Sequence, residues 1–409
     1  MITALRGMKD IIDDGNLYKY IVQTCESVAS NYGYKFIETP KLEATNLFRR
    51  SVGESSDIVG KEMYQFSDKG GNDVCLRPEG TAGVVRAFIE AKFDRAGGVR
   101  RYFYHGSMFR YERPQKGRLR EFHQFGIECF GEKSVYEDAS VILIGAEILS
   151  RLGIKTKLKI NSLGDSECMP KYKAKLVEFL QTTDGLCEDC KRRISTNPIR
   201  VLDCKNEHCQ LLLKNAPLIT NNLNEACEHD FSTLQEILKQ NGLEFEVDAK
   251  LVRGLDYYSK TAFEFISDEI GSQSAVLGGG RYDKLVEYLG GRPTFGVGFA
   301  LGIERLMEII SQRKSEEKRD GIYLCVLDEK YLDSAYLLSA KIRKNHLVEI
   351  NYEAKNLAKH LKTADSQNRK IFLCIGEDEF KNGEIWYKNL ENKDEKKVKI
   401  ENLEGVLSE

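Results

Sequence analysis

Apolar residues recur at helical spacing between about Leu17 and Tyr32 and the run stops near Gly33, so the pattern predicts an opening helix. The stretch KFIETP then reads as extended up to Pro40. From Asp73 a short strand ends in LRPEGT, and AGVVRAFIEAKF follows with apolar residues again three and four apart. Strand character returns around residues 101–130 and 155–163, gives way to charge-rich helical sequence over about 166–243, and resumes in FEVDAKLVRGLDYYSKTAFEF. A helix is predicted to begin near Gly302, and the polar run SQRKSEEKRDG after it marks a linker. Beyond the linker, IYLCVL, a helix around Ser334 to Lys344, LVEINY, a helix around Lys355 to Ala364, and KIFLCIG alternate as in a small mixed or parallel sheet. The pattern thus divides the chain into a core of residues 1–165 and 244–319, a helical insertion at 166–243 and a C-terminal domain at 320–409.

Within the core, FRYERPQKGRLREFHQFGIECF, residues 109–130, reads as a strand, a basic loop with Pro114 and Gly117, and a returning strand. Side chains alternate faces along an extended strand, so Phe122, Gln124, Gly126, Glu128 and Phe130 share one side. An apolar plate, an amide, a gap and a carboxylate would then line one wall. Taken alone, the segment reads more simply as an amphipathic hairpin with solvated charges. Four further stretches change that reading.

With 409 residues the chain exceeds what one hydrophobic core usually supports. A composition of 41% hydrophobic and 30% charged residues is that of an ordinary globular protein. The net charge of -2 provides no global attraction to a polyanion, which would have to be met by local patches. No apolar run is long enough to span a bilayer, and Arg6, Lys9 and Asp10 interrupt any signal-like stretch, so a cytoplasmic location without a membrane partner is expected. Eleven scattered Cys fit reduced thiols better than a disulfide framework.

The four stretches are RPEGTAG at 77–83, LVRGLDYYSKTAFEF at 251–265, GGGRYD at 278–283 and GVGFALGIERLM at 296–307. Together with the hairpin, and over nearly the whole chain, they resemble the histidyl-tRNA synthetase family within the class II aminoacyl-tRNA synthetases. RGLDYY and GGGRYD are the segments that single out the histidine enzymes. One departure is GRPTFGVGF, where Phe295 and Gly296 replace an expected Pro-Ala pair. The resemblance implies an α+β catalytic core, with a mostly antiparallel sheet flanked by helices, and a small α/β C-terminal domain that binds the anticodon. It implies a homodimer, whose interface would use KFIETPKLEATNLF. It also implies activation of L-histidine by ATP with Mg²⁺, followed by transfer to the 3′ end of histidine tRNA.

By the same resemblance Glu79 and Thr81, with Gln124, would receive the histidine ammonium group, and Gly80 is counted among the histidine-binding residues. Glu128 and Tyr258 are candidates for the two imidazole nitrogens, with Tyr257 and Tyr282 as walls. Gly126 would leave room for the ring. A site that must pair both a donor and an acceptor nitrogen rejects side chains that cannot, because an unpaired buried polar group costs about 1–3 kcal/mol. Arg110 and Arg253 would hold the α-phosphate from opposite sides as the catalytic pair. Guanidinium is permanently charged and forked, which suits it to developing negative charge. Phe122 would stack under adenine, Glu112 would accept from its amino group, and Arg305 would meet the γ-phosphate and cover the base. In the basic loop, Arg113 and Gln115 would contact the tRNA acceptor end, with Lys116, Arg118 and Arg120 reaching phosphates only.

Cys187, Cys190, Cys204 and Cys209 have a C-x2-C and C-x4-C spacing that could seat Zn²⁺, with His208 as an alternative ligand. Against this, the second pair is wider than a ribbon knuckle, and CKRRISTNPIRVLDCKN aligns with family members whose fold needs no metal there. No metal ligand is therefore assigned, and any such staple would be remote from the chemistry. The competing function is a catalytically silent, synthetase-like regulatory subunit of histidine biosynthesis. Such relatives typically lack both the arginine of RGLDYY and the C-terminal domain, and this chain has Arg253 and residues 321–409.

Overall fold

The first helix, Gly15–Asn31, buries Ile21, Val22, Cys25, Val28 and Ala29 along one stripe, and Gly33 at φ 80° takes the chain out of it. The computed structural model describes residues 2–53, 56, 58–115, 117–253, 257–273, 275–313 and 318–408. Lys116 and the Gly254, Leu255 and Asp256 of RGLDYY therefore lie outside the described residues. Two compact units divide the chain, residues 1–313 and 314–409.

Unit one carries β1 (Lys35–Phe36), β2 (Leu42–Ala44), β3 (Gln65–Ser67), β4 (Asp73–Leu76), β5 (Arg100–Phe109), β6 (Glu121–Phe130), β7 (Lys157–Ser162), β8 (Phe245–Val247), β9 (Ser259–Ile266), β10 (Ala275–Arg281) and β11 (Gly296–Gly302). Eight of these form one sheet in the order β1-β5-β6-β11-β10-β9-β7-β8. Only the outermost pairs, β1 with β5 and β7 with β8, are parallel; the interior is antiparallel. Strands β2, β4 and β3 make a small separate sheet.

The large sheet has two unlike faces because side chains alternate. Phe125, Ile127, Val297, Phe299, Leu301, Phe263 and Phe265 enter the main core, covered by the helices Gly15–Asn31, Val135–Arg151 and Ile303–Ser311. Between β7 and β8 the chain is helical, and this segment has its own core around Tyr172, Leu176, Leu180 and Leu213. Two predicted elements are shorter than their patterns suggest. The helix in AGVVRAFIEAKF is Thr81–Glu90, ended by Lys92 at a positive φ of 60°. Among its described residues FEVDAKLVRGLDYYSKTAFEF is strand only in β8 and β9, and between them Leu251, Val252, Arg253, Tyr257 and Tyr258 line a cleft.

Unit two contains β12 (Ile322–Val326), β13 (Val348–Ile350), β14 (Ile371–Ile375), β15 (Glu384–Asn389) and β16 (Glu395–Lys399), in the order β13-β12-β14-β15-β16. The first three strands are parallel and the last two antiparallel, which makes the sheet mixed. Lysines of the KDEKKVK stretch are matched by carboxylates, Lys397 to Glu379 at 2.8 Å and Lys399 to Glu384 at 3.1 Å. No helix among the described residues is long and apolar enough to cross a membrane.

Candidate active site

On the face opposite the main core, the middle of the large sheet is almost bare. Cross-strand partners share a face, and the register sets Tyr104, Gly126, Ala300, Gly278 and Glu264 in one row, with Tyr102, Glu128, Gly298, Gly280 and Ala262 in the next. Glycine and alanine at the centre of both rows leave a trough between larger groups on the outer strands. This trough is the floor of a cleft of about 1050 Å³.

At one end of the cleft stands Glu128, only 1% exposed. Its Oε1 accepts from the Thr81 hydroxyl at 2.7 Å and from Tyr104 at 3.3 Å, and its Oε2 accepts from the Tyr282 hydroxyl. A Cβ on Gly298 would overlap this carboxylate, so glycine there is what lets it lie on the sheet. Burial pushes the Glu128 pKa up to about 8, against the pull of the surrounding hydroxyls. Tyr257 and Tyr258 complete the wall, with ring centroids 4.7 Å apart and Tyr257 edge-on to Tyr282 at 5.7 Å. The Tyr282 ring fits against Gly296, the residue that departs from the Pro-Ala expectation.

The space over Gly126 is not empty, as the strand alternation alone suggests. A Cβ on Gly126 or on Gly80 would fall inside the ring of Tyr104, so both glycines make room for that tyrosine. Sequence reading missed Tyr104, although pairing β5 with β6 puts it directly opposite Gly126. Glu79 caps the helix that begins at Thr81, with Oε2 accepting from Thr81 N–H at 2.7 Å and Oε1 from Ala82 N–H at 2.9 Å. Burial raises its pKa, opposed chiefly by those two N–H groups and by Arg110. Gln124 also lines the cleft, and its Oε1 is buried with no partner among the described residues. An unsatisfied buried acceptor of this kind suits a ligand that brings a donor.

Arginines hold the other side. Arg110 donates through Nε to the Pro78 carbonyl at 2.9 Å, tying the hairpin to RPEGT, and its guanidinium lies 5.2 Å over the Phe122 ring. Arg253 pairs with Glu264, lies against Gly278, and keeps a buried Nε without a partner among the described residues. Arg305, in the first turn of Ile303–Ser311, donates to the Ala275 carbonyl. Burial and the neighbouring Arg118 and Arg110 lower its pKa, which marks a concentration of positive charge. Glu304 is held by His123, whose backbone N–H and Nδ1 lie 2.9 and 2.7 Å from its oxygens.

The basic loop sorts into engaged and exposed groups. Arg118 pairs with Glu112 at 2.7 Å, while Arg120 covers the Tyr111 ring at 3.7 Å and donates to the Glu112 carbonyl at 3.2 Å. Both are thus engaged inside the loop as well as belonging to its positive charge. Glu112, read as a group for the adenine amine, accepts from Arg118 through Oε2 and lines the cleft. Arg113 and Gln115 are exposed, and the Gln115 and Arg118 backbones pair across the loop.

GGGRYD also contains a structural anchor that sequence reasoning missed. Arg281, 2% exposed, pairs with Asp138, 1% exposed, and with Asp283 at 3.2 Å. The helical insertion contributes too, since Leu202, Cys204, Glu207 and Leu211 face the cleft. Of the four cysteines of the insertion, Cys204 lines the cleft, while Cys187, Cys190 and Cys209 do not.

A mostly antiparallel sheet with a glycine-floored cleft, bounded by a buried carboxylate and by arginines from the hairpin and from GVGFALGIERLM, is the architecture of a class II aminoacyl-tRNA synthetase. The model of the histidyl-tRNA synthetase family matches residues 13–306, and that of the anticodon binding domain matches 321–409. The histidine--tRNA ligase of Campylobacter fetus subsp. fetus is 71% identical over 409 residues, covering 100% of both chains. That of Campylobacter hominis is 71% identical over 402 residues, 98% of each chain. The crystal structure of apo histidyl-tRNA synthetase from S. aureus superposes with a TM-score of 0.83 at 32% identity, covering 100% of both chains. The chain belongs to the histidyl-tRNA synthetase family. Full-length similarity to histidine--tRNA ligases, with the anticodon-binding unit present, sets aside the regulatory-subunit alternative.

Proposed function

We propose that this cleft activates L-histidine with ATP and that the protein then esterifies histidine onto the 3′ end of its tRNA. The observation that carries this reading is the fully buried Glu128, ringed by three hydroxyls at the end of an arginine-lined cleft. Glu128 accepts from one imidazole nitrogen and Tyr258 serves the other, while Glu79, Thr81 and Gln124 receive the ammonium group beside Gly80. The substrate carboxylate is left free toward the arginines. A carboxylate oxygen attacks the α-phosphorus of ATP, the bond to the β-phosphate oxygen breaks, and pyrophosphate leaves. Arg110 and Arg253 stabilise the charge that builds on the α-phosphate. Phe122 supports the adenine, Glu112 accepts from its amine, and Arg305 meets the terminal phosphates. Mg²⁺ enters with ATP as part of the substrate, held mainly by phosphate oxygens. In the second step the terminal ribose hydroxyl attacks the histidyl carbonyl and AMP departs.

Exposed Arg113 and Gln115 meet the acceptor end of the tRNA, and residues 321–409 bind its anticodon. A second copy of the chain covers the segment around β1 to β3, where Phe36, Leu42 and Phe66 are 50%, 44% and 46% exposed. Eleven unbridged cysteines suit the reducing cytoplasm. Pyrophosphate exchange measured against all twenty amino acids tests the central reading. Histidine alone is expected to support exchange, and exchange driven equally by another amino acid would overturn it.

A further inference from the structure

Four sulfur atoms meet in the helical insertion. The Sγ atoms of Cys187, Cys190, Cys204 and Cys209 all lie within 4.8 Å of one another, and Cys187 and Cys204 are 3.9 Å apart. Zinc–sulfur bonds of about 2.3 Å in a tetrahedron place the sulfurs about 3.8 Å apart, so the spacing fits one ion bound by four thiolates. A disulfide would need about 2.0 Å between sulfurs, and none of these residues is bridged. A four-iron cluster would spread its thiolates farther than this.

The backbone is arranged for the same purpose. Cys187 precedes the helix Glu188–Thr196 and Cys190 lies in its first turn. Cys204 precedes, and Cys209 lies within, the helix Glu207–Leu212, where Asn206 caps both His208 and Cys209 N–H groups. Each cysteine pair therefore spans a loop entering a helix. The Cys187 N–H donates to the Cys209 sulfur at 3.3 Å, a bond that would help to stabilise thiolate charge. His208 is exposed and is not among the converging ligand atoms. A second group, Asp165, Cys168 and Cys227, is explained without a metal: Asp165 accepts from the Glu167 and Cys168 N–H groups and from Asn224.

We propose that Cys187, Cys190, Cys204 and Cys209 bind one Zn²⁺ as a closed tetrathiolate site that staples the insertion and fixes the cleft wall formed by residues 202–211. Binding takes four thiols to thiolates, with their protons released to solvent. The insertion gains from such a staple because its own hydrophobic core is small. Cys204 is at once a ligand and part of the cleft lining, and Gln210 clamps the same turn by donating to the Leu202 and Cys204 carbonyls at 2.9 and 2.7 Å. Occupancy of the metal site and the shape of the wall are thereby coupled.

Full-length protein, produced with zinc available and freed of loose metal, should contain about one zinc per chain by elemental analysis. A mercurial titration should release it as these thiols are blocked, and cobalt exchanged into the site should show the absorption of a tetrahedral tetrathiolate centre. Cys190→Ser and Cys209→Ser should lose the zinc, while Cys227→Ser should keep it. Wild-type measurements stand even if a variant fails to fold. Absence of stoichiometric zinc, or zinc held by Cys190→Ser and Cys209→Ser but lost from Cys227→Ser, would overturn the site. Amide hydrogen exchange over residues 202–211 should quicken at least tenfold after zinc removal; unchanged exchange there would overturn the coupling to the wall. Neither readout depends on the amino acid that the cleft activates.

Discussion

The guanidinium of Arg253 lies directly across the backbone of Gly278, where it pairs with Glu264 from the adjoining strand. Gly279, the next residue, faces the opposite way, toward the Gly298 carbonyl and Phe299. One glycine thus admits a functional side chain and its neighbour permits strand packing. Arg253→Ala should lower histidine-dependent pyrophosphate exchange roughly 100- to 1,000-fold with little change in stability. Gly278→Ala should displace the guanidinium and cost about 100-fold in exchange, also in a folded protein. Gly279→Ala should instead destabilise by about 1–3 kcal/mol or more, because the backbone at Gly298 and Phe299 must yield. Exchange rates and urea midpoints on the three variants check this, and equal effects from both glycine replacements would refute the division of labour.

Glu128→Gln should weaken histidine binding roughly 10- to 100-fold, the range for leaving a buried hydrogen-bond partner unsatisfied. ATP binding should change little. Calorimetric titration with histidine and, separately, with a non-hydrolysable ATP analogue distinguishes the two.

The same carboxylate has a stability signature. Its folded pKa of about 8 lies above the ordinary carboxyl value of 4.5, so between them the folded protein holds a proton that the unfolded chain has released. The contribution is therefore complete below about pH 4.5 and is lost as pH rises to about 8. Thermal midpoints of the ligand-free protein should fall over that window more steeply than those of Glu128→Gln. Parallel curves would show that Glu128 does not titrate there.

Asp138→Ala strands the buried Arg281 guanidinium and should cost about 3–5 kcal/mol. The exchange activity of the molecules that remain folded should be nearly unchanged, since the pair supports β10 from the core-side helix without lining the cleft. Denaturant titration together with activity per folded molecule tests both parts.

A chain ending at Arg313 retains the whole first unit and its cleft. Pyrophosphate exchange should persist, whereas charging of full-length histidine tRNA should fall sharply. Undiminished charging would remove the anticodon role from the second unit.

Local rules made much of this legible. Strand alternation puts Phe122, Gln124 and Glu128 on one face of β6, and all three line the cleft. The PEGT turn declares a helix start, and Glu79 does cap it. Other features depended on register between strands far apart in sequence. Gly126 looked like space for a ligand, but Tyr104 from β5 fills it. Arg118 and Arg120 were legible as cations of a basic loop, but their contacts with Glu112 and Tyr111 are set only by the folding of that loop.

By itself, the amino-acid sequence determined the periodicities that make the elements, the family and the residue types available to the site, because each of these is carried by near neighbours along the chain. Tertiary structure alone decided which glycines face which side chains, that Arg281 serves the core while Arg253 serves the cleft, and that four cysteines converge with one of them, Cys204, lining that cleft. Those outcomes are set by strand register and helix packing, where one residue of shift reverses a face. No local pattern encodes the distance between side chains that meet only after the sheet has closed over its core.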